Sequence, residues 1–211
     1  MDYIYSSMLS QKRRDYLIKL AQSIKQMMPS SLYMHSMGTF KCAQSLGRAY
    51  ILEKEGQKKG MGPFFKLCIS SILHDYGKIY TYEDLLDIIE KNHIQLTGFE
   101  KKCKPILHSL VGGFLVERDF HITDSQILKA IRCHTVGCIK MGVVDKILFV
   151  SDKIEETRDY ASVGQLRKIA LHSLDRCLKE VYKNNMIYNI ERNKLLHPKT
   201  SVIWNNICGG R

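Results

Sequence analysis

Apolar residues recur at helical spacing along nearly the whole of this chain. No stretch alternates apolar and polar residues as a half-buried strand would. That periodicity restricts the fold more than any other feature. Leu17, Leu20, Ala21, Ile24 and Met28 lie on one stripe of a first helix, and Pro29 stops it. Ser30 and Ser31 offer N-caps to a second helix running to about Glu53. Gly56 to Pro63 reads as a loop, and Phe64 to Leu73 as a short, strongly apolar helix. Thr81-Tyr82-Glu83-Asp84 resembles a capping box, with Asp in the acidic position, opening a helix to about Lys91. Pro105 suits the first turn of a helix that passes through His108 and ends near Asp119. Thr123 or Asp124 caps the next, which leads to His134. Gly137 to Met141 reads as a turn, Asp145 to Tyr160 as one helix and Val163 to about Lys183 as another. From Asn184 onward the pattern specifies no element. The expected fold is all-α, a single domain of about seven to nine helices.

The 211 residues suffice for one sizeable core. With 45% hydrophobic and 25% charged residues, the balance is that of a soluble globular protein. No run approaches the roughly 18 apolar residues of a membrane span, and no signal-peptide segment accompanies Lys12-Arg13-Arg14, so a cytoplasmic location is expected. Seven scattered cysteines without a Cys-x-x-Cys pair indicate neither a zinc ribbon nor a disulfide framework; they read as reduced thiols, mostly core fillers. The net charge of +11 points to an anionic partner. The charge is dispersed, densest at Lys12-Arg13-Arg14 and Lys101-Lys102-Cys103-Lys104, and lacks the aromatic-basic pattern of RNA-binding sheets, so nucleic acid is not the expected partner.

Against this background Leu73-His74-Asp75-Tyr76-Gly77-Lys78 stands out. Adjacent residues on a helix diverge by about 100°, so His74 and Asp75 can grip one metal only where the helix ends or its face is concave. An imidazole nitrogen beside a carboxylate oxygen suits borderline first-row cations such as Fe, Mn, Co or Zn. His35, His108, His134 and Asp152 lie in similar apolar settings. Buried imidazoles and carboxylates need partners, and one shared metal site would satisfy many of them together.

The order His35, His74-Asp75, His108, His134, Asp152 resembles the HD-domain superfamily of metal-dependent phosphohydrolases, an all-helical scaffold. The surrounding strings resemble its YqeK-type branch, the symmetrically cleaving bis(5′-nucleosyl)-tetraphosphate hydrolases. They are Met34-His35-Ser36, Pro105-Ile106-Leu107-His108-Ser109-Leu110-Val111-Gly112, Ala130-Ile131-Arg132-Cys133-His134-Thr135, Asp145-Lys146-Ile147, and Asp152-Lys153-Ile154-Glu155 with Arg158. Leu195-Leu196-His197-Pro198-Lys199-Thr200 resembles the branch's C-terminal motif. Ser151, Glu156 and Lys199 depart from the usual Ala, Pro and acidic residue.

The resemblance implies that His35, His74, Asp75 and Asp152 bind a metal, iron first, with cobalt or manganese as alternatives. It implies that Lys78, His108, His134, Thr135 and Arg158 meet the phosphates of a dinucleoside polyphosphate, and that Leu195, Leu196, His197, Pro198, Lys199 and Thr200 lie near the nucleoside. His108 and His134 could instead hold a second metal. Asp75, Asp152, His108 and His134 are the candidate catalytic residues, and a homodimer is left open. Other expectations are a nucleotidase or phosphodiesterase on the same fold, or a basic nucleic-acid-binding module; the Gly-Tyr-Pro element of one phosphodiesterase branch is absent. His93, His121 and His172 match no motif, and Trp204 reads as an anchor for the C-terminal segment.

Overall fold

The computed structural model describes residues 9–55 and 57–209; at 55 and 57–61 it describes the backbone only. Among the described residues there are eleven α-helices and no strand, the all-α class expected. Helix α1 is Gln11–Met27 and α2 is Ser30–Gly47, which passes into a π-helical turn at Arg48–Leu52 and a last turn at Glu53–Glu55. Helix α3 is Gln57–Leu73, followed by a 3-10 turn at Tyr76–Ile79. Then come α4 (Tyr82–Lys91), α5 (Gly98–Lys102), α6 (Lys104–Phe120), α7 (Ser125–Cys133) and α8 (Val143–Ile154). The chain ends with α9 (Val163–His172), α10 (Leu174–Glu191) and α11 (Thr200–Gly209).

The centre of the bundle is α2 packed on α3 and α8, with α6 and α7 packed together and α7 against α3 and α8. Phe40 and Ala43 of α2, Leu67, Cys68 and Ile72 of α3, Val111 of α6, Ile131 of α7, and Ile147 and Phe149 of α8 are fully buried or nearly so. Each large apolar side chain so buried contributes about 1.5–3 kcal/mol. Those five helices are therefore the most firmly held, and they carry or directly precede the candidate donors His35, His74, Asp75, His108, His134 and Asp152. Helices α9 and α10 cover α8, and α11 lies on α10. Trp204 stacks on Tyr182 at 6.4 Å, and Tyr182 on Phe149 at 5.8 Å, which anchors α11 as expected.

Local chemistry explains most boundaries. Thr81 and Asp84 form the expected capping box, and Asp124 caps α7 through the N–H groups of Gln126 and Ile127. His93 and His121 adopt the left-handed conformation just past α4 and α6, so they end helices.

Several expected boundaries are corrected. Ser30 caps nothing; Pro29, with extended ψ, occupies the cap position of α2. The loop expected over Gly56 to Pro63 is helix from Gln57 on, with Gly56 outside the described residues and Pro63 inside α3. Burial of Phe64, Leu67 and Cys68 on that helix outweighs the hydrogen bond that Pro63 cannot donate. The helix expected from Asp145 to Tyr160 stops at Ile154, where Glu155 leaves the helix, its buried carboxylate accepting from the Thr157 N–H and from His35. The helix expected from Val163 to about Lys183 is two, broken at Ser173, whose hydroxyl accepts from the Arg176 N–H and caps α10. Beyond Asn184 the chain is mostly ordered helix.

Candidate active site

Helix α3 ends at Leu73, which leaves His74 and Asp75 in the turn that follows and frees both side chains to face one point. Asp75 is completely buried. His35 comes from α2, His108 from α6, His134 from the end of α7, and Asp152 from α8. Four imidazole Nε2 atoms converge there. His35 Nε2 lies 2.9 Å from Asp152 Oδ1, 3.4 Å from Asp75 Oδ2 and 3.3 Å from His74 Nε2. His108 Nε2 and His134 Nε2 lie 3.2 and 3.4 Å from Asp75 Oδ1, and 3.3 Å from each other.

The far side of three of these rings sets which nitrogen faces inward. His35 Nδ1 faces Glu155 Oε1 at 3.1 Å, His74 Nδ1 the Ser71 carbonyl at 2.9 Å, and His134 Nδ1 the Ile131 carbonyl at 2.6 Å. Each Nδ1–H donates outward, so each Nε2 turns its lone pair to the centre. There it meets carboxylate oxygens and other imidazole nitrogens, with Arg158 Nη2 the one donor, on His35 Nε2. Asp75 Oδ1 is buried and makes no hydrogen bond of good geometry. Lone pairs aimed at lone pairs, around an orphaned buried carboxylate oxygen, are what a cation resolves. The mixed N/O set fits a first-row divalent metal. Two overlapping ligand triplets exist, His35-His74-Asp152 and His74-Asp75-His134, each with its donor atoms within 4.8 Å of one another.

Electrostatics agree. Burial opposes a charge on His74, yet the Asp75 and Asp152 carboxylates overcome it and push its pKa up to about 9. A proton there is a stand-in for the stronger cation. Burial would raise Asp75, but His74, His108 and His134 hold it well below the usual carboxylate range. Asp152 is likewise held low, against its burial, by Lys153, His35 and His74. Burial pushes His134 down to about 4 and lowers His108, so both are neutral at pH 7, fitted to offer lone pairs rather than protons.

Cations rim the cluster. Lys78 Nζ is 2.7 Å from Asp75 Oδ2, and Lys153 pairs with Asp152. Arg158 Nη2 donates to Asp152 Oδ1 at 2.8 Å and to His35 Nε2 at 3.2 Å, while its Nε donates to the Asp152 carbonyl. Reading Asp145 to Tyr160 as one helix left Arg158 about 240° away from Asp152; the end of α8 at Ile154 folds it back instead. Lys78 and Arg158 are each more than a third exposed, so they can swing to an incoming anion.

Beside the cluster lies a cavity of about 670 Å³. Thr135, next in the chain to His134, is part of its wall and bonds Ser109 Oγ at 2.6 Å. Leu195, Leu196, His197 and Thr200 also line it, with Tyr182 and Asn185 of α10. Pro198 and Lys199 stay outside that wall, and Lys199 Nζ is 4.0 Å from Glu100 Oε1. His197 Nε2 faces the same Glu100 oxygen at 3.3 Å.

Glu155 entered the sequence reading only as part of a motif string, with no role of its own. It is 1% exposed, accepts from His35, and is itself held by Thr157. The signal was Gly38 one turn after His35: a Cβ there would lie 2.4 Å from Glu155 Oε2. Gly77 similarly has no room for a Cβ, 2.4 Å from the His108 carbonyl, which lets the His74-Asp75 turn close on α6.

No family model matches the chain. A solved structure from Clostridium acetobutylicum, described as a predicted HD superfamily hydrolase involved in NAD metabolism, superposes with a TM-score of 0.80. It is 26% identical, over 92% of this chain and 97% of that one. Proteins named symmetrical bis(5′-nucleosyl)-tetraphosphatase from Bacillus subtilis and Halalkalibacterium halodurans are 28% and 25% identical. They match 89% and 90% of this chain and 95% of their own lengths. One from Staphylococcus aureus is 27% identical. Fold and donor cluster together define an HD-superfamily hydrolase, a fold that implies a divalent metal. Within that superfamily the chain is similar to proteins named symmetrical bis(5′-nucleosyl)-tetraphosphatase, the YqeK-type phosphohydrolases.

Proposed function

We propose that the protein hydrolyses dinucleoside tetraphosphates symmetrically, giving two nucleoside diphosphates, ADP from diadenosine tetraphosphate. The observation that carries the reading is the convergence of four imidazoles and two carboxylates on one buried point, rimmed by Lys78 and Arg158. The relatives carrying the symmetrical tetraphosphatase name support the choice of substrate. His35, His74, Asp75 and Asp152 would hold the metal, which we assign as iron. When bound, such a metal polarises phosphoryl oxygens and acidifies water.

The chain's own residues do the rest. A tetraphosphate bridge carries about four negative charges, which must be neutralised as the nucleophile approaches. Arg158 offers a planar fork matched to phosphate oxygens and Lys78 a mobile point charge. Both would leave a carboxylate to do so, Lys78 from Asp75 and Arg158 from Asp152, two of the residues that would hold the metal. His108 and His134 take a second cation or stand beside the bridging phosphates. Asp75 or Asp152 orients the attacking water. The departing nucleoside diphosphate is stable as an anion, so the reaction proceeds without a strong general acid, in keeping with the depressed pKa of His134. Leu195, Leu196, His197 and Thr200 cover one nucleoside in the adjoining cavity.

The test is product analysis. Metal-loaded protein is incubated with diadenosine tetraphosphate and the nucleotides resolved by ion exchange. ADP as sole product, lost in His74→Ala, is expected. AMP with ATP would overturn symmetric cleavage. No turnover, with turnover of another nucleotide instead, would overturn the substrate and favour a different HD nucleotidase.

A further inference from the structure

Three hydrogen bonds from one guanidinium hold the segment that brings Arg158 to the cluster. That segment is residues 155–162, between the end of α8 at Ile154 and the start of α9 at Val163. Arg167 reaches it from α9. Its Nε donates to the Ile154 carbonyl at 2.8 Å, and its Nη2 donates to the Glu155 carbonyl at 2.7 Å and the Arg158 carbonyl at 2.9 Å. The last carbonyls of a helix have no partner within it, and a cation placed there meets the negative end of the helix dipole. A planar fork suits that place, because its donors are fixed relative to one another. The third bond grips the backbone of Arg158 itself. The side chain of Arg158 then reaches back to the Asp152 carbonyl, Asp152 Oδ1 and His35 Nε2. Helix α9 is a firm base for the fork. Val163, Leu166 and Ala170 are buried, and the Ala170 carbonyl accepts from the Tyr50 hydroxyl at 2.8 Å.

We infer that Arg167 is a positioning residue for the reaction: by clamping the turn on both sides it places the Arg158 guanidinium where substrate phosphate arrives. The inference rests on the reading of Arg158 as a phosphate contact. Arg167 does not touch the substrate, since all three of its bonds go to backbone carbonyls. The Glu155 carboxylate has holders of its own, the Thr157 N–H and His35, so the effect of the fork falls on Arg158. When Arg158 leaves Asp152 for phosphate, its side chain gives up its contacts with the cluster, but its backbone stays clamped. The guanidinium therefore moves from one fixed root, and little of its reach is spent on searching. Placement of this kind is costly to lose, because a shift of about 1 Å caused from a distance can lower a rate by about 100-fold.

A double-mutant cycle tests it. The metal-loaded wild type, Arg158→Ala, Arg167→Ala and the double variant are assayed for kcat and KM on diadenosine tetraphosphate, or on whichever nucleotide the product analysis selects. Arg167→Ala is expected to lower kcat/KM by about 100-fold, divided between kcat and KM in the same proportion as the loss in Arg158→Ala. In the Arg158→Ala background it should cost less than about threefold more, because the clamp then has nothing to place. Losses that multiply would overturn the inference. So would wild-type kcat/KM in Arg167→Ala while Arg158→Ala is impaired, a result that leaves the phosphate contact standing. Full activity in Arg158→Ala would instead remove the phosphate contact, and the inference with it. Arg167 is part of the wall of a second cavity of about 470 Å³, so its truncation widens an existing space rather than opening one in the core. If Arg167→Ala does not fold by circular dichroism, Arg167→Lys takes its place in the cycle. It keeps a cation at the end of α8 without the fork, and the same pattern is expected: a loss in the wild-type background that disappears in Arg158→Ala. Full activity in Arg167→Lys would overturn the need for the fork.

Discussion

The donor cluster and the cavity beside it meet at Thr135, yet they are built in different ways. Every donor of the cluster stands on, or within two residues of, one of the five helices that form the core. Three of its four imidazoles have their outer nitrogen tied to a fixed acceptor. The cavity wall is largely the α5–α6 junction at residues 102–106, the flank of α10 and the segment from Asn193 to His197. Leu195 is 76% exposed. The cluster is preorganised for charge, where small displacements are expensive. The cavity is a surface that gains its contacts only when something fills it. Chemistry should therefore be sensitive to single atoms of the cluster, and recognition should be graded along the wall.

Substitutions can break that contrast. The largest effect is expected for Asp75→Asn, which removes the charge shared by both halves of the cluster. Hydrolysis should fall by more than the roughly 100-fold that outer ligand-orienting residues reach. A loss under tenfold in kcat/KM, with the fold intact by circular dichroism, would mean that the cluster is not the reacting centre. Next comes Glu155→Gln, isosteric but unable to hold His35 by charge. Equilibrium dialysis should show metal affinity lowered by about 10–100-fold, with the thermal unfolding of the metal-free protein little changed. Unaltered affinity would reduce Glu155 to packing.

Leu195→Ala tests the other region. Each methylene that substrate no longer covers is worth about 0.8 kcal/mol, roughly a fourfold rise in KM with kcat steady. A fall in kcat instead would tie the wall to the chemical step and erase the distinction. The smallest effect concerns Glu100, which links α5 to His197. Burial opposes its ionisation, but the Thr97 N–H and hydroxyl and His197 hold its pKa below 4.5. A depressed folded pKa means that its stabilisation is present above about pH 4.5 and is lost as pH falls through the lower folded value. The urea midpoint of the wild type should exceed that of Glu100→Gln at pH 6, and the gap should close by pH 3. A gap constant across that range would refute the pairing.

The helical class was legible because apolar residues at helical spacing along nearly the whole chain need burial whatever else it does. The turn at His74-Asp75 was legible too, since adjacent side chains can converge only where a helix ends. What stayed hidden depends on tertiary partners. Pro63 looked like a loop residue until Phe64 and Leu67 were packed against α2. Nothing local says that α8 must stop at Ile154. Glu155 leaves the helix for His35, 120 residues away in sequence, and that single exchange is what delivers Arg158 to Asp152. The helix beyond Asn184 was hidden because Asn184, Asn185 and Asn189 dilute its apolar stripe.

The central claim is that the convergent lone pairs hold a metal. Cobalt titration of metal-free protein, followed by visible absorption, tests it most directly. The account predicts at least one cobalt bound per chain by the wild type, with ligand-field bands that are lost or shifted in His74→Ala. Folded wild-type protein that binds no cobalt, or a His74→Ala variant that binds it with the same affinity and spectrum, would contradict it.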